Sequence, residues 1–357
     1  MPEVHAVVEI RGFDMKQYIK QPLLYLLRSL GVFERERKRN RSRLVVLCYH
    51  SIVSDDSPFI SRTNIAVSAG MFEKQLQLIR NRWNPVSLKE IETACLEKKP
   101  LPDYSVFVSF DDGFRNNFTL AAPLLKKYGV PAVVFLTTGL IGNNALLWPQ
   151  EVKERLFDGT EGKKEVFFPA ESCGEKPNET IQRVSYSRES DRFHFTERVV
   201  SACKKLSQEN RMKYLEALRQ VTTLDTTAPW KKELYEFMSW NEVRAIREFG
   251  VDLGAHTISH PILSSLTQEK LRDELRLCKE KIESEVGGEC FSLAYPNGGK
   301  ADFNATVIEE ANQAGFRIAF NLYEKRNPSL PNAMSIDRFC ITRDLSMLEF
   351  EKLLGKG

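Results

Sequence analysis

Short apolar runs rich in β-branched and aromatic residues recur along the chain at 44–49 (LVVLCY), 105–110 (SVFVSF), 131–137 (PAVVFLT), 251–255 (VDLGA), 290–295 (CFSLAY) and 316–321 (FRIAFN). Near-continuous runs of this length read as strands buried on both faces, as in a parallel sheet. Helical patterns lie between most of them. Ser87 and Glu90 form a capping box that opens one helix. A second, starting near Thr267, carries Leu271, Leu275, Cys278, Ile282 and Val286 on one face and ends at Gly287 and Gly288. Buried strands alternating with helices predict an α/β fold, and about seven such units suit a closed barrel as well as an open sheet. The barrel is the expected form: a distorted (β/α) barrel of about seven parallel strands over residues 44–350. The rhythm breaks at about 140–238, which is polar around 158–192 and helical around 196–220. This stretch reads as an insertion forming a lid or a wall of the cleft.

Composition narrows the class. The chain has 357 residues, 42% hydrophobic and 28% charged, and a net charge of +3. That is enough apolar material for a substantial core, and too little positive charge to imply a nucleic-acid partner. Basic residues concentrate in ERERKRNRSR at 34–43, read as a solvated linker, with contact to anionic lipid or polymer as the other reading. Residues 17–33 predict a short amphipathic helix that lies either on the body of the protein, the commoner outcome, or on a membrane. Together, 17–43 form the stretch expected to make any peripheral membrane contact, within an N-terminal extension of 1–43. No run of eighteen apolar residues occurs, and the N-terminus lacks the apolar core of a secretory signal. Seven cysteines without a C-x-x-C pair suggest buried thiols in a reducing compartment. The expected location is therefore the bacterial cytoplasm, at or near the inner membrane face.

The chemistry-bearing residues all follow a predicted strand end: His50, the pair Asp111 and Asp112, His256 and His260 in HTISHP, and the YPNGG loop after 290–294. In parallel α/β folds that end of the sheet is where active sites assemble. His256 and His260 lie four apart, and Pro261 disfavours helix at His260, so the motif reads as a loop or single turn. Two imidazoles and one carboxylate with an open position make a catalytic zinc site. Successive strand side chains point in opposite directions, so Asp111 and Asp112 suit two different roles better than a glycosidase pair. Gly113 allows the backbone to turn away sharply. Taken alone, FDDG is equally a turn.

SFDDG at 109–113 and HTISHP at 256–261 resemble the first two motifs of the NodB-homology polysaccharide deacetylases, carbohydrate esterase family 4. The resemblance implies Asp111 as catalytic base, and Asp112, His256 and His260 as ligands of a divalent metal, commonly zinc. AYPNG at 294–298 matches the third motif more loosely, with Ala294 in place of its arginine; the backbone N–H of Asn297 would help to hold the oxyanion. Arg338 stands as the substitute for the missing arginine. The family's late histidine is absent too, and LCYHSI resembles the exopolysaccharide deacetylase branch acting on poly-N-acetylglucosamine, where His50 would be the acid. Tyr295, Trp148 and Arg338 complete the set as candidate substrate contacts. The implied activity is metal-dependent removal of N-acetyl groups from an amino-sugar polymer or oligomer. The alternatives are a deacylase of the same fold acting on a lipid-linked sugar or other non-peptide amide, a metal-independent glycosidase and a non-catalytic carbohydrate-binding protein.

Overall fold

The computed structural model describes residues 15–158, 164–167, 181–184 and 189–355. The chain divides into two units, Met1–Arg41 with Leu345–Gly357, and Ser42–Asp344. The smaller unit contains helices Met15–Ser29, Val32–Arg39 and Met347–Gly355. Phe33 is buried and Glu34 pairs with Arg37, so the basic run expected as a linker is helical as far as Arg39. Gly31, at φ 72°, separates the first two helices. The closing helix clusters with this unit.

The larger unit is built on one sheet of parallel strands: β1 (Val45–Tyr49), β2 (Asn84–Pro85), β3 (Ser105–Phe110), β4 (Ala132–Leu136), β5 (Val251–Ala255), β6 (Ser292–Ala294), β7 (Ile318–Phe320) and β8 (Phe339–Cys340). Seven of them follow the order β7-β6-β5-β4-β3-β1-β8, and β2 joins β3 from the side. Beyond β7 the ladder continues irregularly: Phe320 bridges Ile336, and the Ile336 N–H donates to Ala319. The sheet thus curves into an incomplete barrel, the form expected. Its interior holds Val46, Phe107, Val133, Phe135, Phe320 and Ile336, all fully buried. Burial on both faces is why these strands lack the alternation of a half-exposed sheet.

The insertion lies between β4 and β5. Helices Trp148–Asp158, Glu189–Lys205 and Gln208–Val221 enclose a small core of their own, with Val152, Leu156, Val199, Cys203 and Leu215. Most of the polar stretch at 158–192 lies outside the described residues. Among the described residues, no helix is long and apolar enough to cross a membrane.

Candidate active site

Register sets the strand ends level. Tyr49 pairs with Phe110, and Leu136 with Ala255, so the residues that follow these positions emerge together at one end of the sheet. Asp111 still belongs to the ladder, its N–H donating to the Tyr49 carbonyl at 3.0 Å. Asp112 does not: its φ of 77° takes the backbone out of the strand. The divergence expected of successive strand side chains therefore stops at Asp111, and both carboxylates enter the same site. Gly113, at φ 89°, completes the turn; a Cβ there would stand 2.9 Å from the Leu136 side chain.

His256 and His260 occupy a loop, as Pro261 predicts, with Thr257 at φ 68° and His260 at φ 57°. These left-handed positions are held from several sides. Glu274, on the helix Gln268–Val286, accepts the N–H groups of Ile258 and Ser259 at 2.7 and 3.0 Å. The Trp148 indole donates to the His260 carbonyl at 3.2 Å. His256 Nδ1 lies 2.8 Å from the Ala294 carbonyl, which fixes the proton there and leaves the Nε2 lone pair facing the site.

Asp112 Oδ1 stands 3.7 Å from the Nε2 atoms of both histidines. Asp112 Oδ1 and His260 Nδ1 are buried without a hydrogen-bond partner. Such orphaned buried atoms are costly unless something absent from the protein completes them. Burial, then the neighbouring Asp111, raises the Asp112 carboxyl well above its ordinary value, and burial also drives the His260 imidazole well below its own. A divalent cation would reverse the first shift and make use of the second, because it takes an ionised carboxylate and neutral imidazoles. Two nitrogens and one oxygen suit zinc or a similar borderline ion.

Asp111 is kept apart from this triad. Arg338 donates Nη1 and Nη2 to its two oxygens at 2.6 and 2.8 Å, and the Cys48 thiol donates to Oδ2 at 3.3 Å. Burial would raise its carboxyl, but the Arg338 guanidinium and then His256 outweigh that and hold it well below the usual carboxylate range. Arg338 is fully buried, so it orients Asp111 and is not a substrate contact. Arg338 immediately precedes β8, so the chain brings it to Asp111 from 227 positions away.

The structure sorts the remaining candidates. His50 and Asn297 line the same cavity as Asp111, Asp112, His256 and His260, a cleft of about 260 Å³. Burial lowers the His50 imidazole to about 4, with Asp111 opposing, so it is neutral at pH 7. Asn297 adopts φ 59°, and its side-chain Nδ2 is buried without a partner, a second donor beside the expected backbone N–H. Tyr295 does not face the cleft: it is fully buried, stacks on Phe303 at 4.2 Å and donates its hydroxyl to Met334. Trp148 is 7% exposed and packs in the insertion's core with Arg211 over its ring, so it supports the histidine loop from behind. Sequence reasoning missed Cys48 and Glu274. The first carries only its place two residues before His50, and the second no local signal at all.

The polysaccharide deacetylase family model matches residues 98–162 and 202–319, just over half of the chain. The Bacillus subtilis protein YxkH is 26% identical over 163 residues, 45% of this chain and 56% of that one. The poly-beta-1,6-N-acetyl-D-glucosamine N-deacetylase of Staphylococcus epidermidis is 30% identical over 132 residues, 34% of this chain and 45% of that one. Its namesake in Escherichia coli strain K12 is 30% identical over 89 residues, 25% of this chain and 13% of that one. The chain thus spans little more than half the length of these curated relatives at most. Among solved structures, the Streptococcus pyogenes deacetylase PplD in complex with acetate superposes with a TM-score of 0.56 at 15% identity, covering 87% of this chain and 98% of that one. IcaB from Ammonifex degensii gives 0.54 at 19% identity, covering 88% and 98%. At these identities the structures establish the shared fold.

Proposed function

The chain belongs to the polysaccharide deacetylase family, and from that premise we propose that it hydrolyses the N-acetyl group of an amino-sugar polymer or oligomer. The observation that carries this reading is the separation of two carboxylates one residue apart. Asp112 faces His256 and His260 with an unpartnered oxygen, whereas Asp111 is claimed by Arg338. One suits a metal ligand and the other a base.

Asp112, His256 and His260 would hold a divalent cation, zinc being the best match. Bound there, the metal would polarise the amide carbonyl and lower the pKa of water. Asp111, kept ionised by Arg338, takes the proton from the attacking water. Asn297 donates to the oxygen on which negative charge develops. His50 is neutral at rest, so it can protonate the leaving amine only after gaining a proton within the cycle, and Asp111, with a carboxylate oxygen within 4.8 Å of a His50 ring nitrogen, can supply it. The poly-N-acetylglucosamine deacetylases among the relatives favour a hexosamine substrate. A deacylase of a lipid-linked sugar has the same site requirements.

Contact of residues 17–43 with an anionic membrane at the cytoplasmic face belongs to this reading, supported by the exposed Leu23, Tyr25, Leu26 and Leu30 beside the basic run. Co-sedimentation with anionic and neutral vesicles checks it; equal recovery in both would remove it.

The deciding experiment measures acetate release from N-acetylglucosamine oligomers by metal-stripped protein, with and without added zinc or cobalt. Acetate only with metal is expected. Acetate release that survives stripping would reject the metal-dependent mechanism, and metal binding without acetate would move the reaction to another acyl substrate.

A further inference from the structure

We propose that the cleft wall built by the insertion is an anion subsite, so that the preferred substrate is an N-acylated amino sugar bearing a phosphate or carboxylate near its ring. The inference rests on the deacylase reading above and narrows it.

Lys153 and Lys204, from the helices Trp148–Asp158 and Glu189–Lys205, line the same cavity as Asp111, Asp112 and the histidines. Lys153 is only 15% exposed and is paired with Glu197. Lys204 remains solvent-accessible and makes no hydrogen bond or ion pair among the described residues. Asp302 is the carboxylate whose charge acts most on Lys204, without a hydrogen bond to it, while its Oδ2 accepts the Gly299 N–H at 2.7 Å. Opposite, the charge of Arg338 is already met by Asp111. Lys204 is therefore the cation of the cavity wall without a contact partner among the described residues, and its charge reaches His50 and His260.

An ammonium on a cavity wall, exposed but without a contact partner, gives up part of its hydration when a ligand fills the cavity. Phosphate or carboxylate oxygens would restore it through a charge-assisted hydrogen bond. The chemistry of the reaction points the same way. Each deacetylation leaves an ammonium on the sugar, and a neutral polymer would bring its accumulating positive charge against Lys204. An anionic substituent balances both charges. A cavity of about 260 Å³ lies just below the usual range for small-molecule sites, which suits one ring with one small charged substituent better than a length of polymer.

Titration calorimetry at low salt tests this with three probes: N-acetylglucosamine, its 1-phosphate, and its 3-O ether carrying a carboxylate. The wild-type protein should bind at least one anionic sugar about tenfold or more tightly than the neutral one. Which of the two it prefers tells phosphate from carboxylate. Lys204→Gln should bring the preference within about twofold at an unchanged unfolding midpoint, with Lys153→Gln giving a smaller loss. Equal binding of neutral and anionic sugars, no binding of either anionic sugar, or a preference that survives Lys204→Gln would overturn the proposal. Because binding is read without turnover, anion preference without acetate release would instead sink the deacetylase reading and leave the subsite standing.

Discussion

Arg338 grips Asp111 by both carboxylate oxygens, at 2.6 and 2.8 Å, across 227 positions of sequence. Both partners are buried, so the pair's value depends on its completeness. Arg338→Met leaves an uncompensated buried carboxylate and should cost about 3–5 kcal/mol of stability. Arg338→Met combined with Asp111→Asn removes both charges and should recover a good part of that loss, while activity stays absent. Urea unfolding of the two variants checks this; a double variant no more stable than the single one would show that the pair is not what Arg338 supplies.

Glu274 supports the candidate metal site without touching it. Its Oε2 accepts the N–H groups of Ile258 and Ser259, and Oε1 accepts the Ser259 hydroxyl. Those bonds hold the loop between the two histidines. Glu274→Ala should weaken zinc or cobalt binding by about 10–100-fold, the usual effect of losing a supporting partner. Competition with a chromogenic chelator measures it, and unchanged affinity would show that the loop keeps its shape without this carboxylate.

Gly113 occupies φ 89° directly after the two aspartates, with Leu136 and Ile141 against it. Gly113→Ala combines backbone strain with a clash and should destabilise the protein by about 1–3 kcal/mol. Thermal unfolding of Gly113→Ala beside Gly250→Ala provides the comparison. Gly250 also has positive φ but open space around its missing Cβ, so its loss should be the smaller.

Glu151 ties the insertion together, accepting from Arg155 Nε and from Arg219 Nε and Nη2, each at 2.8 Å. Burial would raise its carboxyl, but the hydrogen bonds from Arg219 and Arg155 prevail and lower it. A depressed carboxylate contributes fully above its unfolded value, about 4.3, and loses that contribution as pH falls through the lower folded value. The stability gap between wild type and Glu151→Gln should therefore be widest near neutrality and shrink below about pH 4. Urea midpoints at pH 7, 5 and 3.5 trace it. A gap that widened in acid would contradict the assigned direction.

Six strands, two helix termini and the residues of the candidate metal site were legible in the sequence because each is a local signal. A strand buried on both faces must be apolar throughout, a capping box needs only Ser87 and Glu90, and Pro261 restricts the residue before it. Asp111, Asp112, His256 and His260 could be read off because each follows a strand end, and parallel strands bring those ends to one place. The destinations of Tyr295, Trp148 and Arg338 could not be read the same way. Nothing near Trp148 says that its indole meets the His260 carbonyl rather than a sugar, and nothing near Tyr295 predicts Phe303 as its stacking partner. Lys204 and Glu274 lie on helices whose local pattern shows only that they are polar. Whether such a residue faces solvent, a loop or a cleft depends on how the helix docks, and docking is settled by packing between segments distant in the chain. Local pattern therefore determined the elements and the candidate site motif, and tertiary packing alone decided which buried polar groups meet.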